Sequence, residues 1–137
     1  MSIDIIKSRL TQYNLNKGQY IEVDKSKAFK KQIVLHHTAG GSAKSSIDYW
    51  NNSADKVGTA FVIDRCGKIL QAFPSWCWAY ALGINQANYK LIESQAIQIE
   101  LANYGQLKMY GNSVHNEFYS AYGNKVSPDI VESLPIS

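Results

Sequence analysis

The sequence has little of what would assign a class at once. It holds only two cysteines, Cys66 and Cys77, too few for a disulfide framework and without the second pair that a zinc knuckle needs. Both are expected to be free thiols. No uninterrupted apolar run is long enough to span a bilayer. The opening MSIDIIKSRL breaks its apolar residues with Asp4, Lys7 and Arg9, so it does not read as a secretory signal. The expectation is a soluble chain made in the cytoplasm, which another agent must deliver if its target lies outside the membrane. There is no basic run and no Arg-rich helix, so a nucleic-acid partner has nothing behind it. Internal repeats and linkers are absent too. A formal net charge of +3 is compatible with an anionic partner such as a wall polymer, but too mild to argue for one.

What is present describes an ordinary globular chain. At 137 residues it is expected to form one domain, 1–137, with a single core. Hydrophobic residues make up 45% and charged residues 18%, which fits that class. Nine tyrosines and three tryptophans are many for this length. They suit either core and rim packing or the wall of a sugar or peptide groove.

The most informative stretch is Lys31 to Gly41, KQIVLHHTAGG. Ile33-Val34-Leu35 reads as a buried strand, stopped by a glycine pair that marks a sharp turn. Histidines at the exit of such a strand are held by the sheet and face an open loop, where a site can be built. Adjacent strand residues point to opposite faces. His36 therefore goes with Val34, His37 goes with Ile33 and Leu35, and only one of the two can reach into a given pocket.

Around this stretch the periodicities predict the following elements. Ile3, Ile6, Leu10 and Tyr13 have near-helical spacing, which predicts a short amphipathic helix over 3–13. Tyr20 to Val23 suggests a brief edge strand. Ser42 or Ser45 can cap a helix carrying Ile47 and Trp50 on one face. Thr59–Asp64 and Lys68–Phe73 form a hairpin around Asp64-Arg65-Cys66-Gly67, with glycine where the turn wants positive φ. Residues 74–94 read as a long aromatic-rich connection, of the kind that is more often functional than idle. Ala96–Ala102 is the last strand, with Ile97, Ile99 and Leu101 expected to face the core and Gln98 and Glu100 the other side. A carboxylate in such a strand needs a cation, a proton or an opening to water. Residues 105–137 show no firm pattern and are expected to be irregular. The order predicts an α/β domain with a mixed sheet flanked by helices.

The series IVLHHTAGGS, VGTAFVIDRCGKILQAF, WAYALG and IQIELANYG resembles the zinc-dependent N-acetylmuramoyl-L-alanine amidases. That family includes relatives of phage T7 lysozyme and of the peptidoglycan-recognition proteins. The resemblance covers roughly Gln32 to Gly105 and is weaker on either side. It implies the family's fold and a peptidoglycan or muropeptide partner. The reaction it implies is hydrolysis of the amide between N-acetylmuramic acid and L-alanine, in an endolysin or another wall-degrading setting such as a phage virion. It also implies zinc as cofactor, with His36 as first metal ligand and Glu100 as the residue that helps activate the metal-bound water. Neutral imidazole is a good zinc donor, and zinc brings the pKa of bound water down to about 7. Trp76, Trp78, Tyr80 and Asn85 are the candidates for a substrate-binding wall.

The chain departs from the family pattern at three places. Ala81 stands where a histidine is common, and Cys66 where the hairpin turn usually carries an acidic residue. The two further zinc ligands expected downstream, a histidine and then a cysteine or aspartate after another helix, have no clear counterpart before Ser137. His115, Lys125 and Asp129 occur in the right order, but too widely spaced and with no helix before them. The metal site is thus expected to be incomplete unless a further segment or partner chain completes it. The alternative function is a non-catalytic amidase-fold module that binds peptidoglycan or serves an interaction role.

Overall fold

The computed structural model describes residues 9–112 and 115–131. A five-stranded mixed sheet carries strands β1 (Leu10–Gln12), β2 (Gln32–His37), β3 (Phe61–Ile63), β4 (Ile69–Gln71) and β5 (Ala96–Leu101), in the spatial order β1-β4-β3-β5-β2. β2, β5 and β3 run parallel, β4 returns antiparallel beside β3, and β1 lies parallel to β4. Helices α1 (Ala43–Asn51) and α2 (Tyr89–Ser94) join these strands. A second sheet follows, an antiparallel meander of β6 (Lys108–Asn112), β7 (His115–Tyr119) and β8 (Lys125–Val126). The mixed α/β architecture is the one expected. Among the described residues no helix is long and apolar enough to cross a membrane.

The hairpin forms as its sequence predicts. Gly67 adopts φ 79° in the turn, and Asp64 and Lys68 close it through a backbone hydrogen bond of 2.8 Å. Helix α1 begins at Ser42, whose side chain accepts from the Ser45 N–H and so satisfies one of the free amides of the first turn. Ile47 and Trp50 lie on its buried face, against Val62 and Leu70 of the sheet, with Leu15, Phe73 and Cys77 closing the core. Both cysteines are free, Cys66 exposed and Cys77 buried.

Lys30 fastens β5 to the preceding chain. Its half-buried ammonium donates to the carbonyls of Cys77, Ser94 and Ala96, at 2.9, 2.9 and 3.1 Å. Burial pulls this lysine below its ordinary range, and three acceptors for three donors are what let it stay charged there.

Several expectations are corrected. Leu10–Gln12 is a strand, held by parallel pairing to β4, and not the end of a helix; the rest of that expected helix, 3–8, lies outside the described residues. Tyr20–Val23 contributes only an isolated bridge, Ile21 to Trp78. The long connection after β4 ends in helix α2. Of the stretch expected to be irregular, 105–137, the described residues build the β6–β8 meander and a short turn of helix at Pro128–Ile130.

The largest correction concerns which face of the sheet is core. β2 is an edge strand, and Ile33 and Leu35 are 67% and 62% exposed. On β5 the polar Gln98 is buried, while Leu101 is exposed. Helix α1 packs on the side of Val34, Val62, Leu70 and Gln98. The regular apolar set of Ile33, Leu35, Ile97, Ile99 and Leu101 lies on the opposite face, which no helix covers among the described residues.

Candidate active site

Strand parity and register bring the two leading candidates together. In the parallel β2–β5 pairing His36 stands opposite Glu100 and Val34 opposite Gln98. All four side chains share the face covered by α1. His36 and Glu100 line one cavity of about 460 Å³, together with Leu35, His37, Trp50, Val57, Gly58, Thr59 and Ala81. Trp50 and Glu100 also line an adjoining groove of about 380 Å³, whose other walls are Thr38, Gly40, Ser45, Ser46, Tyr49 and Tyr122. The two depressions share Trp50 and Glu100 as lining residues.

The loop beyond β2 shapes the mouth of this cleft. Thr38 continues the ladder, its N–H donating to Leu101 at 3.1 Å, and its hydroxyl accepts from the Gly40 N–H at 3.0 Å. Ala39 turns the chain with φ 51°. Gly41 admits the Tyr104 ring, whose hydroxyl would collide with a Cβ at that position. Gly58 plays a comparable part on the cavity floor, where a Cβ would stand 3.0 Å from Leu15 and 3.2 Å from the Trp50 indole.

Beneath His36 lies a run of hydrogen bonds. His36 Nε2 is 2.7 Å from Gln98 Oε1, and Gln98 Nε2 donates to Glu93 Oε2 at 2.5 Å. Glu93 is 2% exposed and is held from the other side by the N–H groups of Ala81 and Leu82, at 3.2 and 2.9 Å from Oε1. Burial pushes the Glu100 carboxyl above its ordinary range, and the neighbouring His36 and His37 pull partly the other way. A carboxyl so placed can hold or release a proton closer to neutrality than a solvated one.

His37 is exposed and by strand parity points to the other side of β2, yet it also borders the His36–Glu100 cavity, so the expectation that only one of the two histidines reaches a given pocket is corrected. The other candidates fall elsewhere. Trp76 packs against the core edge under Lys25. Trp78 meets Tyr80 edge-on, Tyr80 lies against Tyr89, and Asn85 is exposed. None of these four lines the His36–Glu100 cavity, whose aromatic wall is Trp50. Tyr49, Trp50 and Tyr122 were not singled out as site residues by sequence reasoning. For Trp50 its place on the apolar face of α1 was the only signal, and that signal spoke for packing.

Among the described residues, no three histidine, cysteine, aspartate or glutamate side chains gather so as to hold a metal ion. Lys125 pairs with Glu117, and Asp129 accepts from the Ser127 hydroxyl at 3.2 Å. The side chain of His115 lies outside the described residues. A catalytic zinc takes three protein ligands and a water, so the donor set described here does not fit that ion.

The structure is thus a mixed α/β domain with a cleft at the exit of a parallel strand, where a histidine stands opposite a carboxylate. The chain belongs to the N-acetylmuramoyl-L-alanine amidase family, whose model matches residues 26–134. Comparison with curated proteins and with solved structures gave no match.

Proposed function

We propose that this chain acts on peptidoglycan at the amide between the lactyl group of N-acetylmuramic acid and the L-alanine of the stem peptide. The observation that carries this reading is the placement of His36 opposite Glu100, in one cavity at the end of the β2–β5 pair. Glu100 is suited to take a proton from a water attacking the amide carbonyl. It can return that proton to the alanine nitrogen as the C–N bond breaks, leaving a free lactyl carboxylate and a peptide amine. The adjoining groove with Tyr49 and Tyr122 offers aromatic faces to the sugar or the stem peptide. Trp76, Trp78, Tyr80 and Asn85, outside the cavity, are proposed at most as outer contacts of a longer substrate.

In the family zinc supplies electrophilic help for this step, and His36 is the residue of this chain proposed as its first ligand. The described donors fall short of a zinc centre, so no step is assigned to a metal here. That shortage favours a second reading, in which the domain binds wall fragments without cutting them.

One experiment separates the two. Zinc stoichiometry, muropeptide binding and peptide release are measured together on the 137-residue chain and on His36→Ala. Binding without stoichiometric zinc or release identifies a binding module. Zinc-dependent release that His36→Ala abolishes identifies an amidase whose further ligands lie outside the described residues. Failure to bind or cleave any muropeptide overturns both readings.

A further inference from the structure

The run of hydrogen bonds under His36 has a direction, and that direction fixes more than the ring's position. Glu93 receives three N–H donors, from Ala81, Leu82 and Gln98. The Ala81 and Leu82 amides meet Oε1 of Glu93, and Gln98 presents its NH₂ group to Oε2. The carboxamide oxygen of Gln98 then necessarily faces His36, 2.7 Å from Nε2. An oxygen without a proton at that distance requires a donor, so in the neutral ring Nε2 must carry the hydrogen. We propose that Glu93 and Gln98 are positioning residues that hold His36 in its Nε2–H tautomer and leave Nδ1 as the lone pair offered to the cleft.

The arrangement has the hallmarks of a built device. A carboxylate 2% exposed is costly unless fully hydrogen-bonded, and here every donor that meets it is fixed, two of them by the backbone of the 81–82 segment. Gln98 is buried as well, on a strand whose neighbouring positions are isoleucines. Buried polar groups with apolar neighbours either satisfy one another or destabilise the fold. This pair does so in a way that terminates at the site histidine. The same network ties Ala81, which lines the cavity, and its neighbour Leu82 to the ring. The use of Nδ1 by a ligand rests on the function proposed above, but the tautomer stands on the hydrogen bonds alone.

The test is the ring ¹⁵N spectrum of the labelled, substrate-free chain at a pH where the imidazole is neutral, with His36 assigned by the signals that His36→Gln removes. The expected result is a protonated Nε2 and an unprotonated Nδ1. Glu93→Gln exchanges a single acceptor atom for a donor. Its oxygen stays with the Ala81 and Leu82 amides, and its NH₂ turns to Gln98. Gln98 must then flip, its own NH₂ now facing His36, and the ring is expected to invert to the Nδ1–H tautomer. Gln98→Met, which fills the space and transmits no such preference, is expected to give a mixture of both tautomers. A wild-type ring protonated at Nδ1 overturns the proposal outright. A folded Glu93→Gln chain with unchanged tautomer also overturns it. If that variant does not fold, an unchanged tautomer in Gln98→Met does the same. Because no substrate is present, the outcome is independent of whether the chain binds or cleaves muropeptide.

Discussion

Glu100 lies directly across the β2–β5 pairing from His36, and burial raises its carboxyl above the ordinary range despite the two neighbouring histidines. A carboxyl whose folded pKa exceeds its unfolded one binds more protons in the folded state between those two values. Stability therefore falls as pH rises through that window, and the contribution is fully present only below the unfolded pKa. Glu100→Gln removes this dependence. The variant is expected to be more stable than the parent above the window, and to lose the part of the pH slope that belongs to this residue. Urea midpoints across a pH series check it. A parent chain that gains stability over the window in which the variant stays flat would refute the assignment.

Lys30 offers a prediction about the scaffold. Lys30→Met keeps much of the stem's packing but strands the carbonyls of Cys77, Ser94 and Ala96, which its ammonium now satisfies. Leaving a buried acceptor unpaired costs about 1–3 kcal/mol, and water reaching a half-buried site should keep the total near the lower end. The expected loss is about 1–2 kcal/mol in chemical unfolding. Early hydrogen exchange should appear at the start of β5 and not in α1.

The parts of the fold that were legible in the sequence are those written in local chemistry. Asp64 to Gly67 specifies a turn by the conformational needs of its own residues, and Ser42 caps α1 with its own hydroxyl. The facing of His36 and Glu100 was legible through parity. Which face is core was not, because alternation shows that a strand has two faces without saying which one a helix will cover. Ile97 and Ile99 looked like core, yet Gln98 is the buried residue. Its burial depends on Glu93, which sits five positions earlier but on a different element. Short strands such as Leu10–Gln12 are set by their partner, and nothing in three residues announces it. The meander of β6 to β8 has the same character. The site's aromatic wall was missed because Trp50 serves the core and the cavity at once.

That reversal of faces is itself testable by a pair of substitutions. Ile47 has no accessible surface, and truncating a fully buried isoleucine to alanine costs about 2–5 kcal/mol. Leu35 is 62% exposed on the uncovered face, so Leu35→Ala removes little burial and should cost under about 1 kcal/mol. Thermal or urea unfolding of the two variants decides it. Equal losses would mean that Leu35 is covered by something in solution.

The turn after the histidines carries the last prediction. Ala39 has φ 51°, the only positive φ at a residue other than glycine among the described residues. In that region the Cβ of an L-residue crowds the following carbonyl, at roughly 1–2 kcal/mol. Glycine removes the crowding but has more freedom to lose on folding, which offsets about 0.4–1 kcal/mol. Ala39→Gly is therefore expected to stabilise the chain by about 0.5–1 kcal/mol. Ala39→Val, a β-branched residue in the same conformation, should destabilise it by more than that. The gain must come without a change of turn, since Thr38 still accepts from the Gly40 N–H and still lies on the groove wall beside Glu100. Unfolding midpoints give the sign, and protection of the Gly40 amide shows whether the turn is kept. A glycine variant less stable than the parent would mean that the strain at Ala39 is smaller than its backbone angle implies.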